Sequence, residues 1–404
     1  MSRSVEDEFN EIALGKTDPY GFYARARSEA PIFWSNTTGG WVAAKHRDVL
    51  RVLQDEESFA PLGYGAGSSI IHGRVVLHME GREHRKKSAL SASRIRRPRI
   101  IAEEYEPLAE RLSEKYLAEV TVGTEVDLKS DFTTPLPLNV TASLMGIPEA
   151  PRFRDWYDAI VLAGASNLSG DPEVQRRGLE AKENLVAFLR PVVASRRESP
   201  GDDMLSDLCT FEYEGELLSD EEIFAFCSFL LAAGVETTDR ALSSLLRYLF
   251  TNRDVWELLA ADRDLLPAAC AEILRYSPPV HAISRGVVGD TEMSGQALEA
   301  GQRVLVLLAS GNRDEELFDE GEEFVLDRFA ESAHQQFTPK ADILPFGAGR
   351  HHCTGSLLAL MEMVVGMNHL LDRIPWAEWT DGVPEEAGYV LRSPEHLRVR
   401  VVER

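Results

Sequence analysis

Near the C-terminus, Leu357, Leu358, Met361, Val364, Val365, Leu370 and Leu371 recur at helical spacing, so an amphipathic helix follows residue 355. Upstream, Ile223 to Val235 is an apolar run of thirteen residues broken only by Ser228. It is well short of the roughly 18 to 20 residues that cross a bilayer, so it predicts a buried helix. The capping box Ser219-Asp220-Glu221-Glu222 opens that helix, which runs to about Phe250 and spans roughly 45 Å at 1.5 Å per residue. Pro31 to Asn36 and Gly40 to Lys45 are short, β-prone and aromatic, and Thr37-Thr38-Gly39 between them predicts a hairpin. Asp48 to Asp55, Pro98 to Val120 and Pro135 to Met145 predict helices, the last closing at Gly146 with Pro148 beyond it. Pro61 to Gly73 carries four glycines and two serines and predicts a loop, which is either a surface turn or a substrate-facing segment.

Two places break these patterns. In the middle of the long helix, Ala233-Gly234 and Glu236-Thr237-Thr238 put a glycine, an acid and two hydroxyls into an apolar face. Glycine inside a helix costs about 1 kcal/mol relative to alanine, and buried polar groups cost more unless paired. Threonines bonding back to carbonyls of a kinked core helix are one explanation. The second place is Phe346-Gly347-Ala348-Gly349-Arg350-His351-His352-Cys353-Thr354-Gly355. Glycines four and six residues before the sulfur, and Gly355 after it, let backbone approach something flat and large. Cys353 stands where a helix begins, among exposed N–H groups that favour a thiolate. It has no CxxC partner for a zinc site, whereas a single cysteinate can hold haem iron.

The pattern Phe346-Gly347-x-Gly349-x-His351-x-Cys353-x-Gly355, followed by Leu358-Ala359-x-x-Glu362, resembles the haem-binding loop of the cytochrome P450 superfamily at all six fixed positions. The resemblance implies a mainly α fold with a minor β-sheet, a triangular helical prism around a buried haem b. It implies one domain over residues 1–404, with a small β-rich lobe near 31–45 and 283–308. Cys353 would be the axial ligand, His351 would meet a haem propionate, and Phe346, Gly347, Gly349, Gly355 and Ala233 would border the cofactor. Ala233-Gly234-x-Glu236-Thr237-Thr238 matches the family's oxygen-activation segment. It assigns Thr237 to hydrogen bonding of the oxygen species and Glu236 to proton relay, since oxygen activation consumes two protons.

Glu80-Gly81-Arg82-Glu83-His84 is similar to the start of the family's His-x-x-x-Arg helix, which makes His84 a propionate contact. Ser88 stands where the arginine is expected, with Lys87 or Arg85 as substitutes. His78 and Arg82 fit the same spacing, but Glu80-Gly81 matches the family better with His84. Arg285 takes the family's propionate-binding arginine position, suited to a bidentate carboxylate pair. Glu272 and Arg275, with Arg328 further on, match the structural ExxR set. Glu173 to Arg176 and Glu395 to Arg398 repeat the spacing without its flanking Pro278-Pro279. Ile70, Phe229, Val280 and Ile283 would face the substrate, within Gly63 to Ile71, Phe153 to Leu168, Val235 and Val280 to Ser284.

The implied reaction is monooxygenation: one atom of O2 enters an apolar small molecule, of terpenoid, polyketide or fatty type, and the other leaves as water. No flavin or iron-sulfur motif is present, so a ferredoxin or flavodoxin with its NAD(P)H reductase would supply electrons. Peroxide-using or oxidative-coupling enzymes of the same fold, and a haem protein that only binds ligands, are the rivals. Glu236-Thr237 speaks against both.

Charge narrows the partners. The chain has 43 basic and 66 acidic residues and a net charge of −23, which argues against nucleic acid and anionic membrane. Eight Lys or Arg between Arg82 and Arg99 oppose the trend. They form either a solvated helix face or a docking patch for an acidic electron donor. Met1 to Asn10 carries no apolar stretch after a charged one, so no secretory signal is expected. The four cysteines are scattered, as suits a reducing cytoplasm better than a disulfide scaffold, and a monomer is expected.

Overall fold

The structure, a computed structural model, describes residues 4–12, 17–61, 68–147, 153–166 and 171–403. Its axis is the helix Asp220–Leu249, 30 residues long. Ser219 caps it: the Glu222 N–H donates to the Ser219 hydroxyl at 3.2 Å, and the Ser219 N–H donates to the Glu222 carboxylate at 2.9 Å. Ile223, Leu231, Val235, Leu242, Leu245 and Leu249 bury one side in the main core, against the helices Pro135–Leu144, Leu266–Tyr276 and Ser356–Arg373. Gly234 is where the first of these comes close. A Cβ there would lie 2.9 Å from Thr141 Oγ1, so the glycine lets two helices touch. Val235, expected near the substrate, is fully buried in this core.

Five strands form the β-lobe in the spatial order Ile32–Ser35, Gly40–Ala43, Arg303–Leu307, Ala282–Val287, Phe59–Pro61. All neighbours are antiparallel except Gly40–Ala43 with Arg303–Leu307. Gly40 is required by that parallel contact, since a Cβ would meet the Arg303 carbonyl oxygen at 2.6 Å. The sheet packs on the helix His46–Gln54 through Val49, Val52 and Leu53, together with Leu344 and Ala348 just before the cysteine.

The segment 98–120 is interrupted rather than continuous. It runs as Pro98–Ile100, a π-helical turn Ile101–Tyr105, and Glu106–Leu117. Pro107 has no N–H to give to the carbonyl of residue 103, so the regular ladder fails there. Of the expected loop 61–73, Ser68–His72 is instead a short helix, and residues 62–67 lie outside the described residues. The helix Phe153–Val161 continues into a π-helical turn Leu162–Ser166, while Pro148 and residues 167–168 lie outside the described residues. Among the described residues no helix is long and apolar enough to cross a membrane.

Glu272 and Arg275 are completely buried and paired through two hydrogen bonds, 2.8 and 2.7 Å. Arg275 also donates to the carbonyls of Asn312 and Gly321, while Glu272 accepts from the Val325 N–H and from Arg328 at 3.3 Å. The set staples residues 312–328 to the Leu266–Tyr276 helix. The same spacing at Glu173 and Arg176 makes only an exposed pair. Arg398 pairs with Asp381 and Asp127.

The stretch between Arg328 and Phe346 is folded on itself. The Gln336 side chain bridges to the N–H groups of Asp342 and Ile343, and the Phe337 carbonyl accepts the Ser356 hydroxyl at 2.6 Å. The spacer therefore anchors the start of the cysteine helix.

Arg275→Ala is expected to destabilise the fold by about 3–5 kcal/mol in chemical denaturation, because it leaves Glu272 charged, buried and short of a partner. Arg176→Ala, at the exposed copy of the spacing, is expected to leave the denaturation midpoint unchanged.

Candidate active site

Two glycines shape the loop before the cysteine. Gly347 and Gly349 have φ of +67° and +65°, which side-chain-bearing residues rarely adopt. A Cβ on Gly349 would also come 2.8 Å from the Leu53 carbonyl oxygen, so the loop can lie on the His46–Gln54 helix only with glycine there. The Cys353 N–H donates to the Phe346 carbonyl at 2.8 Å and closes the loop. Gly355 caps the helix Ser356–Arg373 and its N–H donates to Cys353 Sγ at 3.3 Å.

Burial pushes the Cys353 thiol up, against the Gly355 amide, the Arg96 charge and the Ser356 amide, which pull it down. The thiolate expected from the loop and helix start is thus opposed by desolvation. Yet Cys353 presents exposed surface. A residue enclosed by protein but open to contact faces an internal space.

Ala233 is exposed in mid-helix, although Leu231 and Val235 beside it are buried. Phe229 and Thr237, one turn away on either side, are partly buried, so the three form an open stripe. The Thr237 hydroxyl donates to the Ala233 carbonyl at 3.1 Å, and Thr238 donates to Gly234 at 3.4 Å. Glu236 is buried elsewhere on the helix, where its carboxylate accepts from Arg240 Nε at 2.5 Å and from the Tyr157 hydroxyl. Arg240 in turn donates to Ser393 Oγ at 3.1 Å. Arg240 was legible as the i+4 partner of an acid; Tyr157 comes from a distant segment and only the fold brings it in.

Three basic side chains converge near the loop. The His84 ring, from the helix Gly81–Ile95, lies 4.1 Å from that of His351, and His84 Nδ1 is buried without a partner. Burial and the nearby cations Arg350, Arg85 and Arg96 lower the His84 pKa against a smaller opposing effect of Glu56. Burial, His84, Arg285 and Arg350 bring His351 down to about 3. Burial also lowers Arg285, whose guanidinium bonds only the Ser284 carbonyl among the described residues, at 3.0 Å. Arg350 is paired with Glu56. A buried guanidinium and an orphaned imidazole nitrogen beside a second imidazole form a site for an incoming carboxylate. This donor set fits a haem: a sulfur facing an internal space, a helix stripe with a minimal side chain, and one guanidinium with two neutral imidazoles where propionates would need hydrogen-bond partners.

Other expected contacts lie elsewhere. Ser88, at the family's arginine position, donates its hydroxyl to the Arg85 carbonyl. Lys87 cannot substitute, because it pairs with Glu222 at 2.5 Å and Glu83 at 3.4 Å, and Arg85 is exposed. His78 accepts the Val75 N–H and Arg82 pairs with Glu214, so that alternative pair does not converge. Of the basic patch, Arg82, Lys87, Arg94 and Arg99 are held by acids, and Arg96 donates to the His352 carbonyl at 3.0 Å. Ile70 is 50% exposed. The Phe229 ring lies 6.0 Å from His72, Val280 bridges to Leu391, and Ile283 is half-buried in the sheet.

Fold and site together define a haem-thiolate enzyme. The cytochrome P450 family model matches residues 30–397, and the chain belongs to that family. It is a monooxygenase that takes O2, a small-molecule substrate and electrons from a redox partner. Pulcherriminic acid synthase of Bacillus subtilis is 29% identical over 95% of both chains. Erythromycin C-12 hydroxylase of Saccharopolyspora erythraea is 32% identical over 86% of this chain and 85% of its own. The testosterone complex of CYP109E1 from Bacillus megaterium superposes with a TM-score of 0.82 at 28% identity, covering 95% of this chain and 99% of that one.

His72, missed by sequence, ends the short helix Ser68–His72 and is bonded to Ser228 Oγ of the long helix at 3.0 Å. Burial first, then Lys182 and His78, lower its pKa to about 4. A depressed histidine keeps its full stabilising effect above the unfolded value near 6.5 and loses it as pH falls towards 4, because only the unfolded chain takes up the proton. His72→Gln is expected to flatten the decline in unfolding free energy between pH 6.5 and 5, by up to about 1.4 kcal/mol per pH unit.

Proposed function

We propose that Cys353 is the axial ligand of haem b in a single-domain, monomeric, cytoplasmic monooxygenase served by a ferredoxin or flavodoxin and its NAD(P)H reductase. The observation that carries this reading is the Cys353 sulfur, enclosed by protein yet exposed to an internal space, with the Gly355 amide donating to it. When bound, the haem supplies oxygen activation, and an axial cysteinate favours O–O cleavage. His84, His351 and Arg285 take the propionates, and Lys87, engaged with Glu222, takes no part. Gly347 and Gly349 hold the loop backbone down, the Phe346 ring packs 5.3 Å from Phe337 beneath it, and Ala233 keeps the opposite face clear.

Thr237 holds its hydroxyl next to the open stripe, where it can turn from the Ala233 carbonyl to a water or an oxygen atom. Glu236 is the proton relay: on releasing Arg240 or Tyr157 its carboxylate takes up a proton from solvent and passes it on towards the Thr237 side. The donor docks at Arg85, Arg96 and Arg97, for which no acidic partner is found among the described residues. The relatives are named for erythromycin and for a steroid, which supports a bulky apolar substrate bordered by Ile70, Phe229, Val280 and Ile283.

The reduced, carbon-monoxide-bound protein is expected to show the red-shifted Soret band of thiolate ligation, and Cys353→Ser to lose it. Thr237→Ala is expected to divert electrons to peroxide, lowering product formed per NAD(P)H roughly tenfold or more. An unchanged ratio would remove Thr237 from proton delivery.

A further inference from the structure

The helix Gly81–Ile95 reaches the cysteine loop at both ends. His84, in its first turn, meets His351, and its last residues sit against the peptides around Cys353. Ile95 is buried, and a Cβ on Gly355 would lie 4.0 Å from Ile95 Cγ2 and 3.8 Å from Cys353 Sγ. The end of the helix therefore packs on the turn that carries the sulfur. Arg96 closes the helix with its N–H on the Ala92 carbonyl, and its guanidinium Nη2 donates to the His352 carbonyl at 3.0 Å.

That carbonyl belongs to the peptide unit whose N–H is the one of Cys353, and this N–H donates to the Phe346 carbonyl at 2.8 Å. Arg96, the peptide between His352 and Cys353, and the Phe346 carbonyl thus stand in one hydrogen-bonded series. A cation at the acceptor end polarises the peptide, and bonds in series strengthen one another. The peptide next to the sulfur is held on both edges. Its other supports are neutral: the Gly355 N–H on Sγ, and the Ser356 hydroxyl on the Phe337 carbonyl. Arg96 brings charge, and that charge acts on the Cys353 sulfur. Nearby guanidinium groups are compensated, Arg94 by Asp202 and Asp207 and Arg350 by Glu56. Arg96 has no acidic partner among the described residues, so its field at the loop is not cancelled locally.

We infer that Arg96 is a positioning residue that raises the reduction potential of the bound haem, acting through its charge behind the Cys353 sulfur. This rests on Cys353 as the axial ligand. One-electron reduction adds negative charge at the iron and its sulfur, so a cation held behind the sulfur favours the reduced state. The electron comes from the redox partner, and the protein sets how readily it is accepted. Arg96 is exposed, so salt screens its charge and keeps the effect modest.

The test is a dye-mediated potentiometric titration of the haem-loaded protein with no donor protein present, so that docking does not enter. Arg96→Gln keeps an N–H donor for the His352 carbonyl and loses the charge. It is expected to shift the one-electron equilibrium against reduction by roughly threefold to tenfold, tenfold corresponding to about 59 mV. Arg96→Lys is expected to restore most of the loss, and raising the ionic strength to narrow the gap between the native protein and Arg96→Gln. A potential unchanged in Arg96→Gln, or lowered as far in Arg96→Lys, would overturn the inference. The reduced, carbon-monoxide-bound spectrum of each preparation separates the two readings. If the native protein and Arg96→Gln both show the thiolate Soret band at equal potentials, Arg96 fails alone. If the native protein lacks the band, the ligation by Cys353 fails and this inference with it. Loss of the band in Arg96→Gln only would mark a structural role and overturn the inference as well.

Discussion

A sulfur atom surrounded by protein is a poor place for negative charge, and the structure depends on how that charge is met at residue 353. Burial raises the thiol, while two backbone amides and one guanidinium lower it. Those amides are aimed only because the chain reverses through left-handed glycines and closes on the Phe346 carbonyl. The loop is supported by the Leu53 backbone on one side and by the Phe337 to Ser356 contact on the other. Under the proposed ligation, iron would relieve the conflict by accepting the sulfur lone pair, and the loop would be most favourable with the metal bound.

The scaffold serves this one arrangement from two directions. The buried Glu272–Arg275–Arg328 cluster ties residues 312–328 to the helical core, which fixes the spacer leading into the loop. The long helix supplies the facing wall, and its small residues have distinct tasks. Gly234 admits Thr141 from a neighbouring helix, whereas Ala233 leaves the inner face open. Glu236 is spent on Arg240 and Tyr157, outside the stripe that carries Thr237. The acid and the hydroxyl, adjacent in sequence, therefore lie on different sides of the helix.

Much of this was legible in the chain because it is local. The capping box, the hairpin, the glycine-spaced loop and the apolar helix after it each depend on residues within a few positions of one another. What was not legible depends on distant contacts or on competition. Lys87 looked free to replace a missing arginine, but the acid that holds it is 135 positions away. Val235 was expected beside the substrate from its place in the chain, yet helical geometry turns it into the core. A proline divided a helix that apolar spacing alone predicted as continuous. His72 carried no motif at all, and its burial follows only from how three segments meet.

The most direct measurement of the central claim is X-ray absorption at the iron edge of the purified, haem-loaded protein, beside a Cys353→His variant. The account predicts one sulfur scatterer in the first coordination shell of the native protein and none in the variant. Iron surrounded by nitrogen and oxygen alone in the native protein, or sulfur ligation that persists without Cys353, would contradict it.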